Sequence, residues 1–168
     1  IGLSYENDES VNFVYCRFDE DPQCHARVRL EIMEGVDSSP NIVVDRANSI
    51  ENRLLRLLKW MEMQGFGKDW NAYHGDELLR WERMVTAGHS QGAGHAGYAA
   101  KRHGLRRCLL FSGADWSFAE RDMARWIEWP SATPASRIYF LTHLRDTTPG
   151  IGLVRQAWSG YGIDTFGP

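Results

Sequence analysis

The chain has 168 residues, a formal net charge of −3, 43% hydrophobic residues and 12% aromatic residues. That length suits one domain with a buried core. The mild negative charge argues against nucleic acid or an anionic membrane surface as a partner, and no apolar run is long enough to span a bilayer.

The first five residues, Ile1-Gly2-Leu3-Ser4-Tyr5, are mostly apolar and lead into Glu6-Asn7-Asp8. This pattern predicts a buried strand ending in a loop. No leader is visible, which is uninformative because the chain opens on Ile1 rather than Met, and a piece of a longer protein is expected. Residues 6–47 are polar, with weak periodicity. Within them Cys16 and Cys24 flank the turn-rich stretch Asp19-Glu20-Asp21-Pro22-Gln23. A disulfide there is expected, the alternative being two unrelated thiols. A bridge would favour an oxidising, secreted or periplasmic setting. Zinc is the weaker reading, because His25 adds only a third ligand at poor spacing.

Asn48 or Ser49 caps a helix whose face carries Ile50, Leu54, Leu57, Leu58 and Met61, with Glu51 near the capping-box spacing. Gly65 and Gly67 end it. Residues 68–82 form a connection bearing Trp and Tyr, with a helical turn expected at 76–81.

The run from Met84 to Gly94 is the most informative part of the chain. An apolar strand over 84–87 enters Gly88-His89-Ser90-Gln91-Gly92, a Gly-x-Ser-x-Gly turn. A small-residue helix follows, with Ala93, Ala96, Ala99 and Ala100 at helical spacing and Gly104 as its stop. A serine at the apex of a sharp strand-to-helix turn calls for glycine on either side, since Cβ atoms there clash as the backbone tightens. The turn also aims the backbone N–H of Gln91 toward an oxyanion at the positive end of the helix. The bland alternative is a glycine-rich turn without chemistry.

Lys101-Arg102-His103, with Arg106 and Arg107, reads as a solvated surface near a helix end. A strand is expected over 107–111, with Cys108 as a small buried hydrophobe and Ser112-Gly113 as its close. Residues 114–136 form a long excursion with Trp116, Phe118, Trp126, Trp129, Pro130 and Pro134. It is either a cap over a pocket or a cover for the sheet edge. Another strand is expected over 137–142. Leu153, Val154, Ala157 and Trp158 mark a last helix, stopped by Gly160 and Gly162.

Strands alternating with helices predict an α/β fold, a mostly parallel sheet with helices on both faces and active groups at the strands' carboxyl ends. Ser90, Asp115 and Asp146 all follow strands there. A serine nucleophile needs a base, usually a histidine oriented by a carboxylate, and the hydrolase chain order is Ser, then acid, then His. Asp146 is the preferred acid because it leaves a strand directly into a turn, and Asp115 is the alternative. Of the six histidines, none follows Asp146. His143 is expected to pack or to line the pocket, with the base as its weaker reading, His89 to be a buried neighbour of Ser90 turned away from the base position, and His95 to pack inward. The base and the second oxyanion donor are expected outside the segment.

Gly88-His89-Ser90-Gln91-Gly92-Ala93-Gly94-His95-Ala96 closely resembles the elbow of serine-nucleophile α/β-hydrolases. A wider resemblance is to an uncharacterised bacterial and fungal branch of that superfamily. It lies in the Cys16…Cys24 loop, in Ser49-Ile50-Glu51-Asn52-Arg53-Leu54, in the elbow and in Pro130-Ser131-Ala132-Thr133-Pro134. The resemblance implies one incomplete hydrolase domain over residues 1–168, part of an eight-stranded sheet. It implies a Ser–Asp–His triad, no metal or organic cofactor, and a small-molecule carbonyl substrate rather than a nucleic acid. By it, residues 1–5 look like the fourth strand and the elbow strand like the fifth. The third, which lies between them in space, would come earlier in sequence. The implied chemistry is esterase-type, through an acyl-enzyme at Ser90 with Gln91 N–H on the oxyanion and Asp146 orienting the histidine. The alternative is a binding or scaffold protein that keeps the fold without catalysis. Nothing in the pattern sets the oligomeric state.

Overall fold

The computed structural model describes residues 1–67, 69–118 and 120–166. Helix α1 (Cys24–Glu34) and helix α2 (Ile50–Met63) come first. Strand β1 (Val85–His89), helix α3 (Gln91–Arg102) and strand β2 (Arg107–Phe111) follow. Next are the short strands β3 (Trp116–Ser117) and β4 (Asp122–Met123), then strand β5 (Ile138–Leu141) and helix α4 (Ile151–Gly160). The fold is mixed α/β. Its main sheet has three parallel strands in the order β1-β2-β5, and β3 pairs antiparallel with β4.

The sheet is covered on one face rather than two. Thr86, Gly88, Cys108, Leu110, Ile138 and Phe140 alternate toward the helices. There the Cys108 thiol donates to the Ala96 carbonyl at 3.3 Å, and Phe140 packs on Trp158 and Tyr161 at the end of α4. On the other face Val85, Ala87, His89, Tyr139 and Leu141 are exposed. The expectation of helices on both faces is corrected accordingly for the described residues. The cause lies in topology. Parallel crossovers are right-handed, and β1, β2 and β5 are laid in one direction, so both connections fall on the same side.

The larger core cluster joins Ala93, Ala96, Ala99 and Ala100 of α3 to Leu105, Leu110 and Ile138 of the sheet region. Part of the 114–136 excursion lies within it, since Ala124, Trp126 and Ile127 are all buried. Trp126 packs edge-on against Tyr98 with ring centroids 5.4 Å apart. Lys101, expected in solvent, is also buried. Its ammonium donates to the carbonyls of Trp129 at 2.7 Å and Gly160 at 2.8 Å. Burial pushes the Lys101 pKa down to about 8.

Three sequence expectations change in the first half of the chain. Residues 1–5 form no strand and are exposed or half-buried. They have no ladder partner among the described residues, and an extended segment without one gains nothing from its backbone groups. Residues 6–47 contain a full helix, α1, and a five-residue helical turn at Val11–Tyr15. Helix α1 shows weak apolar periodicity because it buries His25, Arg29 and Glu31 beside Val28, Ile32 and Met33. The Glu31 carboxylate accepts from the backbone N–H groups of Ser38, Ser39 and Val44 at 2.9–3.1 Å. Residues 76–80 are not helical; the single turns fall at Trp70–Tyr73 and Trp81–Arg83. Helix α2 is capped by Ser49, whose hydroxyl accepts from Asn52 N–H. Its most buried side chains are Leu55 and Leu58.

Cys16 and Cys24 form a disulfide with Cα atoms 5.8 Å apart. It sits in a second cluster with Val11, Val28, Ile32, Ile42 and Val44. The bridge closes a short polar loop, so the loss of loop entropy in the unfolded chain accounts for about 2–3 kcal/mol of stability. A Cys16→Ser, Cys24→Ser double variant is expected to lose that amount in urea unfolding. A loss under roughly 0.5 kcal/mol would show that the loop is held by packing alone.

Candidate active site

Strand β1 runs into helix α3 with a single residue between them. That residue, Ser90, has φ 54° and ψ −119°, a backbone conformation costly for any residue with a Cβ. Its neighbours hold it there. Ser90 N–H donates to the Phe111 carbonyl at 2.9 Å, and the Ser90 carbonyl accepts from Ala93 N–H at 3.0 Å. A Cβ on Gly88 would overlap the Gly92 carbonyl, and one on Gly113 would overlap the Ser90 carbonyl. A Cβ on Gly92 would meet only the Tyr5 hydroxyl, at 3.7 Å. The two glycines that allow the turn are therefore Gly88 and Gly113, the second lying outside the motif.

The sheet register sets what surrounds Ser90. His89 pairs with Phe111, and Phe111 with Leu141. The bonding continues one step further, with Ser112 N–H donating to the Leu141 carbonyl at 2.9 Å. Ser90, Ser112 and Thr142 thus stand abreast at the carboxyl end. Asp146 follows in the turn after Thr142, half-exposed, and its Oδ1 accepts from Thr148 N–H at 3.2 Å. Its carboxyl is held below the usual range by Thr148 N–H first, then by the Ser112 side chain and the nearby His89. Ser112 was missed at the sequence level, although it ends its strand as Ser90 ends β1.

Asp115 has a different environment. It is buried, and both its oxygens receive the Arg29 guanidinium, Nε to Oδ2 at 2.9 Å and Nη2 to Oδ1 at 2.5 Å. Trp126 Nε1 donates to Oδ2 as well, at 3.0 Å. Burial pushes the Asp115 carboxyl up, but Arg29, His25 and Trp126 together outweigh it and hold it below its ordinary value. Such a carboxylate has little capacity left to orient a histidine. Arg29 also donates from Nη1 to the Gln91 carbonyl at 3.2 Å and to His95 Nε2 at 2.9 Å. Nothing in the chain pattern marked Arg29; an arginine on a helix is ordinarily a surface residue.

Gln91 is the first residue of α3, so its N–H has no partner within the helix. No other acceptor takes it among the described residues. Its side chain reaches back to residues 7–11, where Oε1 accepts from Val11 N–H at 2.8 Å and Nε2 donates to Asn7 Oδ1 at 2.7 Å.

The histidines divide by environment. His95 packs inward as expected. Its Nε2 faces the donor Nη1 of Arg29, so it is neutral with the proton on Nδ1. Burial, and then Arg29, hold its pKa well below the ordinary value. His25 is also buried, and burial lowers its pKa despite Asp115. His89, expected to be buried, is exposed on the open face of the sheet. His143 Nδ1 accepts from Arg145 N–H in its own turn at 3.1 Å. No histidine is hydrogen-bonded to Ser90 among the described residues.

A cleft of about 840 Å³ runs along the unpaired edge of β1, between Ile1, Leu3 and Tyr5 on one side and residues 83–89 on the other. Ser90 does not line it. The cleft follows the open strand edge, and Gly88, His89 and Gly92 on either side of Ser90 belong to its lining. Glu34, Glu51 and His103 form a separate cluster that could by spacing hold a cation. Its carboxylates are already engaged by Arg102, Arg46 and His103.

Comparisons with protein-family models, with curated proteins and with solved structures returned no match.

Two outcomes are expected from this geometry. Ser90→Gly relieves the backbone strain and stabilises the fold by about 1 kcal/mol, whereas Ser90→Ala does not. Urea unfolding separates the two, and equal stabilities would show that Ser90 is unstrained. The second concerns acid. In the unfolded chain His95 takes a proton near pH 6.5; in the fold it does not. The unfolded state therefore binds more protons below that pH, and stability falls as pH drops from about 6.5. His95→Gln keeps an acceptor for Arg29 without titrating. It should reduce the slope of unfolding free energy between about pH 6 and pH 5 by roughly 1.4 kcal/mol per unit. An unchanged slope would show that His95 is already protonated in the fold.

Proposed function

We propose that this chain carries the nucleophile of a serine hydrolase within an α/β-hydrolase-type domain, acting on a carboxylic ester through an acyl-enzyme. The observation that carries this reading is the strained backbone of Ser90 at the junction of a parallel strand and a helix. Strain at an exposed serine persists only where the surrounding structure imposes it, and such positions cluster at functional sites. In this reading Ser90 Oγ attacks the carbonyl carbon while a histidine takes its proton. The carbonyl oxygen becomes an oxyanion, and Gln91 N–H, free and at the positive end of α3, bonds to it. Asp146 is the carboxylate that orients the histidine. It stays ionised, has capacity to accept a further bond, and lies in the turn after Thr142 beside the Ser112 side chain, whereas Asp115 is committed to Arg29. In this reading the histidine comes from outside these residues.

A second reading, a binding or scaffold protein that keeps the fold, is favoured by one observation, the lack of a histidine bonded to Ser90 among the described residues. The test is treatment of the full-length protein with a fluorophosphonate and mapping of the adduct. Labelling of Ser90, lost in Ser90→Ala, is the expected result. Asp146→Asn should slow labelling by about 10²-fold or more, and Asp115→Asn should act mainly through stability. No adduct at Ser90 in the folded protein favours the scaffold reading.

A further inference from the structure

The Gln91 side chain makes three hydrogen bonds to residues distant in sequence: from Val11 N–H to Oε1 at 2.8 Å, and from Nε2 to Asn7 Oδ1 at 2.7 Å and to the Glu9 carbonyl at 3.0 Å. The main chain of the same residue is gripped from the opposite side, its carbonyl accepting from Arg29 Nη1 at 3.2 Å. We infer that the Gln91 side chain is a positioning group, a strap that holds residues 7–11 on the elbow and fixes the direction of Gln91 N–H. The inference rests on the hydrolase reading, in which that N–H bonds the oxyanion.

The strapped segment is anchored further along. Val11 is fully buried. Asn12 bridges to the loop after β2, donating to the Ala114 carbonyl and accepting from Trp116 N–H at 3.5 and 3.4 Å. Residues 7–12 therefore join the elbow to the 114–116 loop, and Gln91 is where that bridge meets the nucleophile's neighbour. The Gln91 N–H shares a peptide plane with the Ser90 carbonyl, which accepts from Ala93 N–H at 3.0 Å, so with that carbonyl, the Gln91 carbonyl and the Gln91 side chain all held, the N–H cannot turn without breaking these bonds. An oxyanion donor contributes most when its orientation is set before the charge develops.

The chemistry also explains why an amide stands here. A glutamate at the first helical position would suit the helix dipole better. However, Nε2 must donate to two oxygens, and a carboxylate would instead oppose Asn7 Oδ1 and the Glu9 carbonyl. Glutamine alone among side chains of this length donates twice and accepts once or more from one planar group.

Gln91→Met keeps the length and loses all three bonds. Gln91→Glu keeps the acceptor for Val11 N–H and loses the donors until it is protonated. In the full-length protein, the second-order rate of fluorophosphonate labelling at Ser90 is expected to fall about tenfold in both variants near neutral pH. Amide exchange at Val11 should speed up in Gln91→Met. The Gln91→Glu rate, taken as a ratio to wild type, should recover as pH falls through the glutamate range near about 4.3, because the protonated carboxyl donates again. A role confined to holding the fold would lower stability without this pH-dependent recovery in rate. Wild-type labelling rates in both variants, with Ser90 labelled in the wild type, overturn the positioning role and leave the hydrolase reading intact. Absence of any adduct at Ser90 in the wild type overturns both. If Gln91→Met does not fold, the Gln91→Glu rate ratio against pH decides alone, and a flat ratio overturns the inference.

Discussion

The buried ion pair between Arg29 and Asp115 is the interaction on which the rest of the structure depends. Both side chains are almost wholly removed from solvent, at 1% and 2% exposure. Burying two charges is unfavourable unless their hydrogen-bonding capacity is filled. Here it is filled. Asp115 accepts two bonds from Arg29 and one from Trp126, and Arg29 donates onward to Gln91 and His95. One guanidinium thereby joins α1, the first turn of α3, the loop after β2 and the inserted Trp126. Those four parts are separated in sequence, and no strand pairing holds all of them together.

That network explains how a strained serine can persist. The cost at Ser90, about 1–3 kcal/mol, is borne only if the chain cannot relax on either side. On the strand side the ladder runs past β1 through Ser90 N–H to Phe111. On the helix side Arg29 holds the Gln91 carbonyl. Opposite the turn, Gly113 makes room for the Ser90 carbonyl, which lies where a Cβ would stand. His95 adds a condition to this arrangement. It must stay neutral to accept from Arg29, which links the turn's integrity to pH through a residue five positions beyond Ser90.

Some of this was legible in the sequence and some was not. The strand–turn–helix unit around Ser90, the 107–111 strand and the helix ending at Gly160 all follow from local pattern. In each, apolar periodicity and glycine stops agree with the tertiary packing. Helix α1 was not legible because three of its inward positions, His25, Arg29 and Glu31, are polar and find partners far away in sequence. The strand expected at residues 1–5 failed for the converse reason, since its local pattern is good but among the described residues it pairs with no strand, and a cleft separates it from the open edge of β1. Asp115 and Asp146 look alike as sequence, each following a strand. Only the position of Arg29 separates a carboxylate bound into the core from one open at the sheet's end. Exposure of one sheet face follows from the direction in which the strands are laid, which sequence order does not specify.

The most direct test of this account is a double-mutant cycle on the ion pair, Arg29→Leu and Asp115→Leu, read by urea unfolding. Each single change should cost about 3–5 kcal/mol by leaving the partner charge buried and alone. The double variant should cost less than the sum by about 2 kcal/mol or more. Additive costs, or single costs below roughly 1 kcal/mol, would contradict the claim that this pair organises the elbow.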